Sequence, residues 1–133
     1  MKTRIAVLEV VVADDPFTPT ELSGDGQFFR LTLNSKNAEL GGLYGDLAKT
    51  PEFAKTSIAH ELGHFLNFLT GEPNHVKVMQ AGPFAKRTVP GSIYPSETKA
   101  WESAAQIFPN LDQRVKKLAL QSYEDHGFKE VGQ

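Results

Sequence analysis

The chain has 133 residues and a formal net charge of −2, and its 40% hydrophobic and 23% charged residues are typical of a globular protein. This length predicts a single domain over residues 1–133, and the slightly negative charge gives no electrostatic footprint for nucleic acid. The absence of cysteine excludes disulfides and thiolate metal ligands, and it is consistent with a reducing cytoplasm, where we expect the protein to reside.

The first apolar segment is predicted to be a strand and not a targeting sequence. The segment from Arg4 to Val12 is rich in β-branched residues, which favours a strand buried on both faces. Glu9 interrupts the apolar stretch, and Asp14 and Asp15 follow where a signal peptide would have small residues. No segment is long enough to span a membrane, so we expect no membrane partner.

Residues 13–50 are expected to contain one more strand between two irregular segments. Two prolines and a Ser-Gly-Asp-Gly run predict a loop over residues 13–26. In the segment from Gln27 to Asn34, apolar residues alternate with residues of mixed polarity, which predicts a second strand. Its mixed outer face favours a position at the edge of a sheet. Its two faces carry Phe29, Leu31 and Leu33, and Phe28, Arg30 and Thr32. Glycines at residues 41–45 predict a further break.

Residues 51–70 are predicted to form an amphipathic helix about 30 Å long. Thr50, Pro51 and Glu52 supply an N-cap, a proline at the first helical position and an early acidic residue. Gly71 and Pro73 give the stop signal. The residues that recur at helical spacing between these signals are Phe53, Ala54, Ser57, Ile58, Leu62, Phe65, Leu66 and Leu69.

This helix contains an HExxH sequence at residues 60–64. Side chains four residues apart rise from one face of a helix, so His60 and His64 are candidate ligands of one zinc ion. Glu61 would then lie beside the metal as a general base for a bound water. The alternative is that the two histidines belong to an ordinary core helix.

The C-terminal half is predicted to contain a short strand, a loop and two helices. The predicted elements are a strand over Val76–Ala81, a loop over Gly82–Pro95, a helix over Glu97–Phe108 capped by Ser96, and a helix from Leu111 to about Tyr123 capped by Asn110. The last helix places Leu111, Val115, Leu118 and Ala119 on its core-facing side. The polar tail from Glu124 onward is expected to be loosely held.

A third protein ligand is needed, because a catalytic zinc site has three such ligands and one open position. Metzincins supply a histidine six residues after the second one, where this chain has Thr70, so that pattern is excluded. His75 and His126 lie on predicted loops, at spacings that match no known zinc pattern. We expect these two histidines to be solvated surface residues.

Glu97 and Glu102 are the candidates for the third ligand in a gluzincin pattern, in which a glutamate from a following helix completes the site. Glu97 shares a helical face with apolar residues, and a buried carboxylate is costly unless a cation neutralises it. Glu102 shares its face with Thr98 and Gln106, so we expect it to be solvated. We therefore prefer Glu97 and keep Glu102 as the alternative.

Small residues predict a close contact between the two helices. Gly63 lies in mid-helix, where glycine costs about 1 kcal/mol relative to alanine, and it is one turn from Ala59. Ala100 and Ala104 form a matching stripe on the second helix. This pairing would let the two backbones approach closely enough for a short glutamate side chain to reach the metal.

The sequence from Ala59 to His64, followed about thirty residues later by Glu97-Thr98-Lys99-Ala100-Trp101, resembles the small gluzincin metallopeptidases. Its layout over residues 51–108 is closest to that of the ImmA/IrrE-like peptidases. The resemblance implies an α+β, zincin-like fold, with a small mixed or antiparallel sheet on the HExxH helix and two further C-terminal helices. It also implies zinc bound by His60, His64 and Glu97, with Glu61 as general base and later proton donor.

One position departs from the family pattern. Members often carry Asn or Asp four residues after the ligand glutamate, where this chain has Trp101. Such residues commonly orient a ligand histidine, so the partner of the first histidine is left unidentified.

The activity implied by the resemblance is zinc-dependent hydrolysis of a peptide bond in a protein or peptide substrate. We expect an extended substrate to add to an edge strand, for which Gln27–Asn34 is the candidate. The candidate donors for the oxyanion are Tyr44, Tyr94, Tyr123 and His126.

Two other function classes remain open. A zincin-fold metal-binding or regulatory module would keep the metal without proteolysis, although binding alone would not require Glu61. Another zinc hydrolase, such as an amidase, is the third possibility, but a deformylase would need a cysteine ligand, and this chain has none.

Overall fold

The computed structural model describes residues 6–15, 17–18, 20–25, 27–34 and 44–131. In this part of the chain three strands precede six helices, which confirms the predicted α+β class. The strands are β1 (Val7–Val12), β2 (Glu21–Gly24) and β3 (Phe28–Leu33). The helices are α1 (Pro51–Leu69), α2 (Pro73–Ala81), α3 (Ala85–Thr88), α4 (Pro90–Ile107), α5 (Gln113–Asp125) and α6 (Phe128–Val131), with 3-10 turns at Gly45–Lys49 and Gly82–Phe84.

The three strands form a mixed sheet in the order β1-β3-β2, with β1 parallel and β2 antiparallel to β3. The prediction that Gln27–Asn34 is a strand is confirmed, but its placement at a sheet edge is wrong, because β3 is central. The predicted loop over residues 13–26 also contains a strand, β2. The Asp25 carboxylate accepts hydrogen bonds from the backbone N–H groups of Gln27 and Phe28, so this part of the loop is a hairpin turn.

The prediction that β1 is buried on both faces is wrong. Among the described strands β1 lies at the edge of the sheet, and Val10 and Val12 are 56% and 78% exposed. β-Branched residues favour extended backbone whether or not the strand is covered, so composition alone did not reveal the exposure. The predicted start at Arg4 and most of the predicted break at residues 41–45 lie outside the described residues.

The predicted helix over residues 51–70 is confirmed as α1, which begins at Pro51 and ends at Leu69. The sheet packs on α1 through Phe29, whose ring centroid lies 4.9 Å from that of Phe65 and 5.1 Å from that of Phe68. A second cluster fills the space between α1, α4 and α5. Its buried members are Phe53, Ala59, Trp101, Ala104, Leu111, Val115 and Ala119.

The predicted strand over Val76–Ala81 is wrong, because these residues belong to helix α2. Pro73 occupies the first turn of α2, and the Glu72 carboxylate accepts hydrogen bonds from the backbone N–H groups of Asn74 and His75. Pro73, which was part of the predicted stop signal of α1, therefore also begins the next helix. The short length and apolar content of Val76–Ala81 did not distinguish a helix from a strand.

The predicted loop over Gly82–Pro95 and the predicted helix start at Ser96 are also wrong. This segment contains a 3-10 turn, α3 and the first turns of α4, which begins at Pro90 and continues through Pro95. Ser96 is thus inside the helix, where its hydroxyl donates to the Ile93 carbonyl. The predicted end of this helix is confirmed to within one residue.

The last predicted helix is present with a shifted start. α5 begins at Gln113, and its N-cap is Asp112 instead of Asn110, because the Asp112 carboxylate accepts from the Arg114 backbone N–H. The tail after Glu124 is not loose throughout, since it contains α6, which packs against α4 and α5. Within the described residues, no helix is both long and apolar enough to cross a bilayer.

The predicted close contact between α1 and α4 is confirmed. Gly63 is buried against the backbone of α4, and a Cβ atom placed on it would overlap the Ala100 carbonyl oxygen and lie 3.2 Å from the Ala104 nitrogen. Glycine removes this obstacle, so the two helix backbones meet at the level of the HExxH residues.

Candidate metal centre

Helices α1 and α4 bring three potential ligands together. His60 Nε2 lies 2.8 Å from Glu97 Oε2, and His64 Nε2 lies 3.1 Å from the same oxygen. One ligand atom from each residue falls within 4.8 Å of the other two. Two imidazole nitrogens and a carboxylate oxygen at this separation could bind one metal ion.

The local structure explains why these side chains converge. The four-residue spacing places His60 and His64 on the face of α1 that meets α4. Gly63 lies between them in sequence and contacts Ala100, which follows Glu97 by almost one turn on α4. The short distance between the backbones therefore carries the Glu97 carboxylate to both imidazoles.

The structure distinguishes clearly between the two candidate glutamates. Glu97 is buried beside both histidines. The Glu102 side chain is 64% exposed and lies 3.5 Å from Lys99 Nζ on the surface of α4. Glu102 is therefore not part of the cluster.

Electrostatics keep the Glu97 carboxylate ionised. Burial by itself would raise the pKa of Glu97, but the neighbouring His64 and His60 outweigh burial and hold this pKa well below its usual range. Tyr123 donates a hydrogen bond of 2.9 Å to Glu97 Oε1. Burial and the Glu97 charge raise the pKa of Tyr123, so its hydroxyl stays protonated and available as a donor.

Glu61 lies beside the cluster but points toward the sheet. Its Oε2 accepts a hydrogen bond of 3.2 Å from the Leu22 backbone N–H of β2, and its Oε1 is 3.6 Å from His60 Nδ1. Burial raises the pKa of Glu61. A carboxylate with a raised pKa is a stronger base than one on the surface, which is the property that general base catalysis requires.

His60 is oriented by an aromatic stack with Trp101. The two rings lie 4.2 Å apart between centroids with an interplanar angle of 10°. At 3.6 Å the contact between His60 Nδ1 and Glu61 is too long for a hydrogen bond. Stacking on Trp101 thus restrains the His60 ring plane, and within the described residues the buried Trp101 Nε1 atom has no hydrogen-bond partner.

His64 is oriented by a hydrogen-bond chain that the sequence reasoning missed. His64 Nδ1 lies 2.9 Å from His75 Nε2, and His75 Nδ1 lies 2.8 Å from Glu72 Oε1. The expectation of a solvated His75 is wrong, because this residue lies on α2 and is only 6% exposed. The available signal was the sequence Glu72-Pro73, which is typical of a helix start and places His75 in the first turn.

The other predicted oxyanion donors, Tyr94, His126 and Tyr44, either bond to residues outside the ligand cluster or line a cavity beside it. Tyr94 donates its hydroxyl hydrogen to Glu124 Oε1, and exposed His126 lies at the end of α5, with its Nδ1 2.7 Å from the Ser122 carbonyl oxygen. Asn67 accepts a hydrogen bond from Ser103. Tyr44 lines a cavity that also contains His60 and Glu61.

Two cavities flank the cluster and share part of their lining. One, of about 720 Å³, runs beside β2 and α2, and the other, of about 590 Å³, runs beside α5. The residues that line both are His60, Glu61, Lys86 and Tyr123. His60 and Glu61 are therefore accessible from two sides, whereas His64 and Glu97 line only the cavity beside β2 and α2.

Comparison of this chain with models of known protein families, with curated proteins and with solved structures finds no match. The arguments for its function therefore come from the site itself.

Proposed function

We propose that this protein is a zinc-dependent metallopeptidase of the gluzincin type with a zincin-like arrangement of sheet and helices. His60, His64 and Glu97 hold the metal, and Glu61 is the general base. The observation that carries this proposal is the convergence of the three ligand atoms within 4.8 Å of one another, with the Glu61 carboxylate beside His60.

The donor set fits zinc. Two neutral imidazoles and one carboxylate are typical ligands of catalytic zinc, and they leave the fourth position of a tetrahedral site open. Glu97 is ionised in its buried position, and the positive charge of the metal would compensate for the burial of this carboxylate. When bound, zinc would lower the pKa of a water molecule and polarise a substrate carbonyl.

Glu61 carries the proton transfers in this proposal. Its carboxylate accepts a proton from water as the water oxygen forms a bond to the carbonyl carbon. It then donates that proton to the amide nitrogen as the carbon–nitrogen bond breaks, which yields a carboxylate and an amine. The raised pKa of Glu61 supports the first step, because it makes the carboxylate a stronger base.

Tyr123 is the best placed of the predicted oxyanion donors. Its protonated hydroxyl contacts Glu97 Oε1 and lines both cavities. A small rotation of this side chain would direct the hydroxyl toward a carbonyl oxygen held near the cluster.

The edge strand that would receive an extended substrate is β2. The Leu22 N–H is directed away from β3 and toward Glu61, so the outer edge of β2 faces the cluster. Leu22, Ser23 and Gly24 line the cavity that contains the three candidate ligands. A peptide that pairs with this edge would lie along the cavity, with its backbone next to the general base.

The test is a comparison of the wild type with Glu61→Gln and Glu102→Gln, each assayed for zinc content and for cleavage of a mixed peptide library by mass spectrometry. We expect all three proteins to bind zinc, and only Glu61→Gln to lose cleavage. Equal cleavage by Glu61→Gln and the wild type would contradict the mechanism. Zinc binding by a wild type that cleaves nothing would favour the binding or regulatory module instead.

A further inference from the structure

The two nitrogens of the His64 ring face different groups. Nε2 lies 3.1 Å from Glu97 Oε2, and Nδ1 lies 2.9 Å from His75 Nε2. The His75 ring is tilted by 55° from that of His64, and His75 is buried where α2 meets the three candidate ligands. Because His75 contacts the Nδ1 atom of His64, the Nε2 atom of His64 remains directed at Glu97.

The Glu72 carboxylate, which follows His75 in this hydrogen-bond chain, determines where the protons of the two histidines lie. Glu72 accepts hydrogen bonds from the backbone N–H groups of Asn74 and His75, which favour its ionised form. An ionised carboxylate only accepts, so the proton between Glu72 Oε1 and His75 Nδ1 belongs to His75. When His75 is neutral its other nitrogen is an acceptor, and the 2.9 Å contact then corresponds to donation of the His64 Nδ1–H to His75 Nε2.

We propose that Glu72 and His75 are positioning residues that fix the tautomer and the ring orientation of His64, so that its Nε2 lone pair is directed at the metal position. This inference rests on the proposed function, because it assigns a role toward the zinc that the cluster would bind. Residues that orient a ligand histidine in this way typically contribute 10- to 100-fold to metal affinity, and we expect about that contribution here.

The backbone holds this pair rigidly against the metal helix. The Glu72 N–H donates to the Asn67 carbonyl at 2.8 Å, and the Gly71 N–H donates to the Phe68 carbonyl at 3.0 Å. Gly71 has a positive φ of 76°, which lets the chain turn directly from α1 into α2. The segment that carries Glu72 and His75 is thus anchored to the last turn of α1, through carbonyls three and four residues after His64.

The arrangement differs from that of His60, whose ring is held by stacking on Trp101. A stack restrains a ring plane but neither donates nor accepts a proton, so it does not select a tautomer. The hydrogen-bond chain through His75 restrains both the ring orientation and the tautomer of His64. The two ligand histidines are therefore oriented by different interactions, and loss of the chain should affect His64 specifically.

The experiment uses the full chain and measures zinc affinity at fixed pH by competition with a chelator. His75→Leu fills the space but removes the acceptor, whereas His75→Gln offers a side-chain oxygen to the His64 Nδ1–H. We expect His75→Leu to weaken zinc binding by about 10- to 100-fold and His75→Gln to recover most of the loss. Glu72→Ser keeps an N-cap for α2 but is too short to reach the ring, and should weaken zinc binding similarly to His75→Leu.

A second measurement follows the Nδ1–H of His64 by NMR in the zinc-loaded proteins. This proton should exchange slowly with water in the wild type and in His75→Gln, and rapidly in His75→Leu. Equal zinc affinity in His75→Leu and the wild type would overturn the inference, and so would equal losses in His75→Leu and His75→Gln. A wild type that binds no zinc would instead refute the proposed function together with this inference, which separates the two failures.

Discussion

The substitution Gly63→Ala tests the contact on which the candidate metal centre depends. A Cβ atom at this position would overlap the Ala100 carbonyl oxygen, and it would lie 3.1 Å from the Ala100 carbonyl carbon and 3.2 Å from the Ala104 nitrogen. All three atoms belong to the backbone of α4, so no side chain can rotate to make room. The two helices would have to move apart.

The size of the effect follows from two opposed terms. Replacing glycine by alanine inside a helix gains about 1 kcal/mol in helix propensity. Overpacking a buried contact costs about 1–3 kcal/mol, and a clash with backbone belongs at the upper end of that range. We therefore expect Gly63→Ala to destabilise the fold by about 2 kcal/mol, although the substitution would stabilise an isolated helix.

The measurement is urea unfolding of the chelator-treated protein, followed by circular dichroism. A loss of about 2 kcal/mol would lower the midpoint by about 1 M urea for a domain of this size. Gly91→Ala is the matched control, because a Cβ on this helical glycine would lie 3.4 Å from the Val131 carbonyl oxygen, an ordinary contact. We expect the control to be at least as stable as the wild type.

The metal site provides a second readout of the same substitution. Glu97 precedes Ala100 by three residues on α4, so separating the helices would withdraw its carboxylate from His60 and His64. Zinc affinity should therefore fall in Gly63→Ala and remain unchanged in Gly91→Ala. A Gly63→Ala protein as stable as the wild type would refute the close approach of α1 and α4.

Three further predictions concern the ligand, the core and pH. Glu97→Ala should abolish stoichiometric zinc binding while Glu102→Ala retains it, as measured by metal analysis of purified protein; zinc retained in Glu97→Ala would refute the ligand assignment. Thr56→Val should cost about 1–3 kcal/mol in urea unfolding, because it leaves the Asp112 N–H without its acceptor, whereas Thr56→Ser should cost less. Burial would raise the pKa of Glu72, but its hydrogen bonds with His75 and Asn74 outweigh burial and lower it. The stability that Glu72 contributes should therefore be present above its unfolded-state pKa and be lost as the pH falls through its folded-state pKa, so the difference in unfolding midpoint between wild type and Glu72→Gln should shrink in acid.

Features that depend on residues within one or two turns were predicted well from the sequence. The N-cap, proline and terminal glycine around α1 predicted its bounds closely, and the four-residue spacing of His60 and His64 placed both imidazoles on one face. The apolar face of the later helix correctly distinguished buried Glu97 from exposed Glu102. Periodicity and caps act locally, so a single sequence is enough to recognise them.

The same local signals were misread where one residue served two elements. Gly71 and Pro73 were interpreted only as the end of α1, although Glu72 and Pro73 also begin α2. With α2 taken as a strand, His75 was assigned to a loop and its approach to His64 was not foreseen. The helix start is visible in the sequence, but its contact with His64 depends on the turn between the two helices.

Sequence by itself determined the helix that carries the HExxH residues, the burial of Glu97 in contrast to Glu102 and the need for a small residue at Gly63. Only the tertiary structure decided that β3 is central and β2 faces Glu61, that Trp101 stacks on His60, and that His75 links Glu72 to His64. These contacts join different strands and helices, and whether they form depends on how whole elements pack. Propensity and spacing specify which face of an element is apolar, whereas the partner that covers that face is selected by the packing of the complete chain.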